Sequence, residues 1–304
     1  MLDSARDFAG RVTFVTGPGK HSGKTAFLNR AAALVRRGDG SGLPLALLSA
    51  GYDGEIRDFL SGARKPAVPV IPGDVFVTAG RYLRSGGACP ELLAELPGST
   101  ALGPCCVARA TREGTAALVG PETNEGLGAA LEAILDEGLA RTAIVDGAVN
   151  RVTQAALRPE ARLVYALRVD AGNLARSAEL ARRMAVLAAL PVAGAEPDVG
   201  GPGSGAFHLA GALTAETAAR LPREARDVVV DDFTKVFLDG AALSAFRRER
   251  GLFVSRAIAF AGFSVACRGV PDARFLDALG DEGVAGLVSF NPYRADPGVP
   301  GEAA

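Results

Sequence analysis

Gly23, Lys24 and Thr25 close a short turn that also holds Gly17, Gly19, Lys20, His21 and Ser22. These residue types in this order suit one chemistry, the holding of a polyphosphate. Glycines let successive backbone N–H groups converge on an anion at close range, and a helix beginning at the lysine adds the favourable end of its dipole. Lys24 would then reach the β- and γ-phosphates and stabilise their charge, and the Thr25 hydroxyl would be a ligand for Mg²⁺. Each charge-assisted hydrogen bond contributes about 1.5–3 kcal/mol, so several together can hold a triphosphate in water. The pattern G-x-x-x-x-G-K-[ST] asks for glycine where Pro18 stands, with Gly17 one residue early. Proline has no N–H to donate, so one phosphate contact is expected to be missing. Two of the chain's four lysines, Lys20 and Lys24, lie in this turn. A compact ammonium suits a point contact with phosphate better than a guanidinium fork does.

Phosphoryl transfer also needs carboxylates near the metal and the attacking water. Asp53 and Glu55 follow the apolar run Pro44-Leu45-Ala46-Leu47-Leu48, and Asp146 ends the run Thr142-Ala143-Ile144-Val145. Thr25 with Asp53 or Asp146 would hold Mg²⁺, and Glu55 or Asp53 would orient water. For Asp53-Gly54-Glu55, an ordinary polar turn is an equal alternative. Val169-Asp170 and Val230-Asp231-Asp232 have the same strand-end form as Val145-Asp146. Asp146 is preferred because its strand follows a long amphipathic helix, whereas Asp170 is expected to cap the helix after it.

The elements that must place these groups are legible. Val12-Thr13-Phe14-Val15-Thr16 reads as a buried strand. Phe27, Leu28, Ala31, Leu34 and Val35 recur at helical spacing, with Arg36, Arg37 and Gly38 as the stop. A strand–helix–strand unit in this order is right-handed and parallel, which brings the strand ends to the ligand-binding edge of the sheet. Further strands are expected at Asp74–Ala79, Thr142–Val145, Val228–Val230, Phe263–Ala266 and Gly286–Phe290. Helices are expected at Glu122–Gly138, Ala241–Arg250 and Asp272–Leu279. Cys105–Ala110 and Thr115–Val119 flank Arg112-Glu113-Gly114 as a β-hairpin. The Gly/Pro-rich passage before Gly205 marks a boundary between a nucleotide-binding domain, 1–195, and a C-terminal α/β region, 205–304, which either stands alone or extends the same sheet. Asn291, in the loop after the last strand, could offer its amide to a nucleotide base if that strand lies beside the first sheet. His208 lacks a second ligand to form a metal cluster.

Composition narrows the class. A chain of 304 residues with 48% hydrophobic and 22% charged residues is globular, and it is near the upper size for one core. A net charge of −1 gives no electrostatic case for nucleic acid or an anionic membrane. No apolar run is long enough to span a bilayer, and the residues after Met1 lack the apolar core of a signal peptide. Cys89, Cys105, Cys106 and Cys267 form no C-x-x-C pair, and the adjacent two read as buried thiols. A cytoplasmic location is expected.

Several stretches recur in one known family in the same order. They are the phosphate turn, Asp53-Gly54-Glu55 with Gly62-Ala63-Arg64-Lys65-Pro66, Leu118-Val119-Gly120-Pro121, Val145-Asp146-Gly147-Ala148 with Asn150-Arg151, Gly211-Ala212-Leu213-Thr214, and Asn291-Pro292. Together they resemble the P-loop subunit of the lysine 5,6-aminomutase reactivase, the KamB family, across almost the whole chain. The family's loop commonly reads Lys-Asn-Ala-Gly-Lys-Thr, matched here by Lys20-His21-Ser22-Gly23-Lys24-Thr25, and the preceding Gly-Pro-Gly departs from it. The resemblance implies work with a MutS-related ATPase partner to restore an adenosylcobalamin-dependent aminomutase. No Asp-x-His-x-x-Gly stretch offers this chain's own ligand to cobalt.

The expected fold is therefore α/β and P-loop NTPase-like, a mainly parallel sheet flanked by helices with an inserted β-hairpin and a C-terminal α/β region. The expected activity is binding and hydrolysis of ATP, or GTP, with Mg²⁺. Two alternatives use the same loop: an ATP-dependent small-molecule kinase or dethiobiotin-synthetase-like ligase, and a non-catalytic subunit whose assembly the nucleotide controls.

Overall fold

Strand β1 (Val12–Thr16) is buried at every position, because helices or loops cover both faces of a mainly parallel sheet. The computed structural model describes residues 2–19, 21–51, 68–98, 100, 102–147, 158, 161–194 and 206–292. From β1 the chain runs through helix α1 (Lys24–Arg37) into β2 (Leu45–Ala50). Five short strands follow: β3 (Val68–Val70), β4 (Val75–Ala79), β5 (Glu91–Glu95), β6 (Cys105–Arg109) and β7 (Gly114–Ala116). Helix α2 (Asn124–Leu131) continues as a π-turn over Glu132–Asp136 and leads to β8 (Thr142–Gly147). Next come β9 (Ala161–Val169), α3 (Leu174–Ala188), β10 (Phe207–His208), α4 (Ala215–Ala219) and β11 (Asp227–Val230). The last elements are α5 (Gly240–Glu249), β12 (Gly251–Val254), β13 (Ala259–Cys267), α6 (Asp272–Leu279), α7 (Glu282–Ala285) and β14 (Val288–Phe290).

Nine strands make one sheet in the order β14-β13-β9-β1-β8-β2-β4-β6-β5. Its strands from β14 to β4 pair in parallel, and only the β4–β6 and β6–β5 pairs are antiparallel. The crossover β1–α1–β2 moves to one side of β1, and β9–α3–β13 moves further to the other side. With right-handed crossovers the two helices must lie on opposite faces. The packing agrees. Phe27, Leu28 and Ala31 of α1 share a core with Val15, Leu47, Ile144 and Val164, while Ala178, Ala181 and Met184 of α3 share another with Phe14, Leu48, Val145 and Leu163. Alternate residues of each strand therefore serve different layers.

β10, β11 and β12 form a separate three-stranded parallel sheet, whose Val228, Val230, Leu252 and Val254 join the core layer of α3. β13 and β14 return to the large sheet beside β9. Residues 195–205, where the sequence suggests a boundary, lie outside the described residues.

The expected hairpin between Cys105–Ala110 and Thr115–Val119 does not form. β6 lies between β4 and β5, while β7 pairs with β3 in a two-stranded ribbon. The antiparallel insertion is instead β5 with β6. Burial decides this: β6 is apolar enough to be covered on both faces, whereas Gly114 and Thr115 of β7 are only partly covered.

Cys105 and Cys106 sit on β6 and are buried, as is Cys267, while Cys89 is exposed. Burial, the neighbouring Cys106 and Glu122 together push the Cys105 thiol up to about 11, and burial followed by Glu95 raises Cys106. The thiolate is the reactive form, so a raised value keeps these groups inert at pH 8. Titration of the native protein with a disulfide reagent at pH 8 should consume one thiol, Cys89, and titration after denaturation all four.

Candidate functional site

β1 ends at Thr16 and α1 begins at Lys24, so the residues between them form the turn at the carboxyl edge of the sheet. Gly23 occupies the helix N-cap with φ +98°, a left-handed conformation that favours glycine, and has no side chain to satisfy the first N–H groups. His21 also has a positive φ, +58°, which costs a non-glycine residue about 1–2 kcal/mol. Among the described residues, nothing accepts a hydrogen bond from the backbone N–H groups of Ser22, Gly23, Lys24 or Thr25. A Cβ added at Gly19 or Gly23 would meet nothing within 4 Å, so the inner wall of the turn is open.

Two side chains brace the turn. Buried Ser22 donates from Oγ to the Gly19 carbonyl at 3.0 Å, and Lys24 Nζ donates to the same carbonyl at 3.0 Å. The ammonium thus lies over the turn from the first residue of α1. Gly17 supplies the tight approach. A Cβ there would overlap Ser22 Oγ and lie 2.6 Å from the Ala166 carbonyl of β9. Exposed Pro18 occupies the position where the pattern wants glycine, and the crowding falls one residue earlier. Gly17→Ala should displace the turn from β9 at a cost of about 1–3 kcal/mol. The check is thermal unfolding, whose midpoint should fall.

On the other side of β1, Asp146 of β8 stands level with Val15 and with Ser49 of β2. It shares the α1 face of the sheet with Ile144, because side chains alternate. From there its Oδ2 accepts a hydrogen bond from Thr25 Oγ1 at 2.9 Å. The other strand-end aspartates are engaged locally. Asp170 does not cap α3: its Oδ1 accepts from the N–H groups of Gly172 and Asn173, closing a turn, and Asn173 is the N-cap residue. Buried Asp232 accepts from the N–H and hydroxyl of Thr234.

Lys20, Asp53 and Glu55 lie outside the described residues, as do Gly62–Pro66 and Asn150-Arg151. Asn291 follows β14 at the carboxyl edge of the large sheet, and its N–H donates to the Val265 carbonyl at 2.7 Å. Two strands, β13 and β9, separate β14 from β1, which places it about 14 Å from the phosphate turn. Its side chain is buried. His208 is exposed on β10. Ser49 of β2, level with Asp146, donates from Oγ to the Gly51 carbonyl at 2.8 Å. Its polar signal is weak, and only the register shows that it neighbours Asp146.

A threonine hydroxyl beside a carboxylate is a hard-oxygen donor pair, the kind Mg²⁺ prefers when phosphate oxygens and water complete its shell. Open N–H groups and a lysine ammonium fit the phosphates themselves. The residues present therefore fit both groups. Among the described residues, no cluster of three or more His, Cys, Asp and Glu side chains forms a self-contained metal site, and no helix is long and apolar enough to cross a membrane.

The chain is thus an α/β protein built on a large, mostly parallel sheet flanked by helices. No family model, curated protein or solved structure was found to match it.

Proposed function

We propose that this protein is P-loop NTPase-like and binds ATP, or GTP, with Mg²⁺ at the turn between β1 and α1, and hydrolyses it. The observation that carries this reading is the hydrogen bond from Thr25 to Asp146 across the mouth of a Gly-Lys-Thr turn. A hydroxyl and a carboxylate from residues 121 positions apart in sequence meet beside the turn, and together they would hold Mg²⁺ and leave it open to phosphate oxygens. Lys24 leaves the Gly19 carbonyl for the phosphates, and the N–H groups at the start of α1 take up the remaining charge. Bound Mg²⁺ would neutralise charge developing on the phosphoryl oxygens. Asp53 and Glu55 are the candidates for orienting the attacking water.

The client reading rests on the order of segments shared with the reactivase family. In it, nucleotide turnover drives conformational change in a complex with a MutS-related ATPase and an adenosylcobalamin-dependent aminomutase. Its test is recovery of activity by an inactivated aminomutase on addition of this protein, the ATPase partner and ATP.

For the site itself, Thr25→Ala is the direct probe. ATP affinity measured with Mg²⁺ should fall about ten- to a hundredfold, affinity in EDTA should be unchanged, and Thr25→Ser should restore the wild-type value. Equal losses with and without Mg²⁺ would remove the metal role. Nucleotide binding without hydrolysis, alone and with partners, would identify an assembly subunit instead.

A further inference from the structure

A pocket of about 570 Å³ lies between the approach to β11 and the end of α5, and none of its lining residues belongs to the turn between β1 and α1. Arg223 and Arg226 line it from the first segment, and Arg247, Arg248 and Arg250 from the second. Two carboxylates, Asp227 and Glu249, complete the charged lining, giving a net charge of +3 on a chain whose total is −1.

These seven groups are not equivalent. Arg250 is a strut: its Nη1 donates to the carbonyls of Pro222 at 2.8 Å and Ala225 at 2.6 Å, binding one wall of the cavity to the other. Asp227 lies against Gly251, where a Cβ would overlap its carboxylate. Arg223, Arg226, Arg247 and Arg248 are exposed, and none has an ion pair or side-chain hydrogen bond with another described residue. The dipole of α5 favours Arg247 and Arg248 in its last turn. It gives no reason for Arg223 and Arg226 to converge on the same space from a different segment.

We infer that this cavity is a second anion site, one that takes a compact oligophosphate group. Guanidinium forks match phosphate oxygens in pairs. The volume falls within the range of small-molecule sites. A duplex or a long acidic segment would need a broad charged face, which the overall charge of the chain does not suggest. The inference is independent of the phosphate-turn reading, since the two sites share no residue.

The test is calorimetric titration of the intact chain with inorganic tripolyphosphate at about 0.1 M salt, near a 10 Å screening length. It is run on a Lys24→Ala background to weaken the other site. That background should retain one saturable site. Adding Arg223→Ala with Arg247→Ala should weaken it about a hundredfold, about tenfold per guanidinium. Both positions are exposed, so the melting temperature should not change. Disappearance of tripolyphosphate binding in Lys24→Ala alone would overturn the inference. So would a loss of less than about threefold in the double arginine variant. Binding of poly-glutamate in place of tripolyphosphate would reassign the cavity to an acidic protein segment, and would equally overturn it.

Discussion

Lys24→Ala is expected to lower ATP affinity about a hundredfold, equivalent to about 3 kcal/mol, as measured by calorimetry with Mg²⁺ present. The lysine's present partner explains why the effect should be so clean. In the described conformation the ammonium makes one hydrogen bond, to the Gly19 carbonyl, and that carbonyl is also served by Ser22 Oγ. Removing the lysine leaves no buried acceptor without a donor, so the turn should keep its shape and the melting temperature should move little. The loss then reports the ammonium–phosphate contact alone. Retained affinity in a folded Lys24→Ala protein would end the site assignment. Lys24→Arg should recover only part of the affinity, because a planar fork does not replace a point charge over the turn.

The second large effect is on stability. Asp74 is 2% exposed, and its Oδ2 accepts from Arg36 Nη2 at 2.6 Å and from the Ile71 N–H at 2.8 Å. Arg36 is itself only 14% exposed along its side chain and also donates to the Pro69 carbonyl. Asp74→Ala strips a largely covered guanidinium of its counter-ion and a turn of its acceptor, and should cost about 3 kcal/mol in urea-induced unfolding. Asp74→Asn keeps an oxygen for the Ile71 N–H and should lose less. The pair between Arg30 and Asp3 is the useful contrast. Asp3 is 46% exposed, and removing it should change stability by no more than about 1 kcal/mol. If Asp74→Ala unfolds with the wild-type midpoint, the bond between the end of α1 and the start of β4 has no energetic role.

Much of this architecture can be read from the residues because local signals agree with the final fold. Val12–Thr16, Leu45–Leu48 and Thr142–Val145 are apolar runs bounded by turn residues, and each became a central strand. β5 fails that test. Glu91-Leu92-Leu93-Ala94-Glu95 has the composition of a helix, and it is extended because β6 offers it an edge. The expected hairpin between β6 and β7 shows the same limit of local signals. Proximity in sequence favoured β7 as the partner of β6, but β5 and β4 took that place. The placing of a turn between β1 and α1 was legible, since its glycines and the flanking apolar runs are local signals. The choice of Asp146 over Asp170 and Asp232 was only a preference, because which strand neighbours β1 is a matter of topology. The pairing of Arg36 with Asp74 left no signal at all.

Helix α1 has a mechanical consequence. Its 14 residues make a rod about 21 Å long, and three of its side chains are moored to other parts of the molecule. Thr25 holds β8 through Asp146, Arg30 Nη1 holds the Phe290 carbonyl of β14 at 2.8 Å, and Arg36 holds the start of β4 through Asp74. A push on the first turn of this rod can therefore be felt at an outer strand and at the antiparallel margin together. The helix that starts at this turn is thus tied by its side chains to both flanks of the sheet.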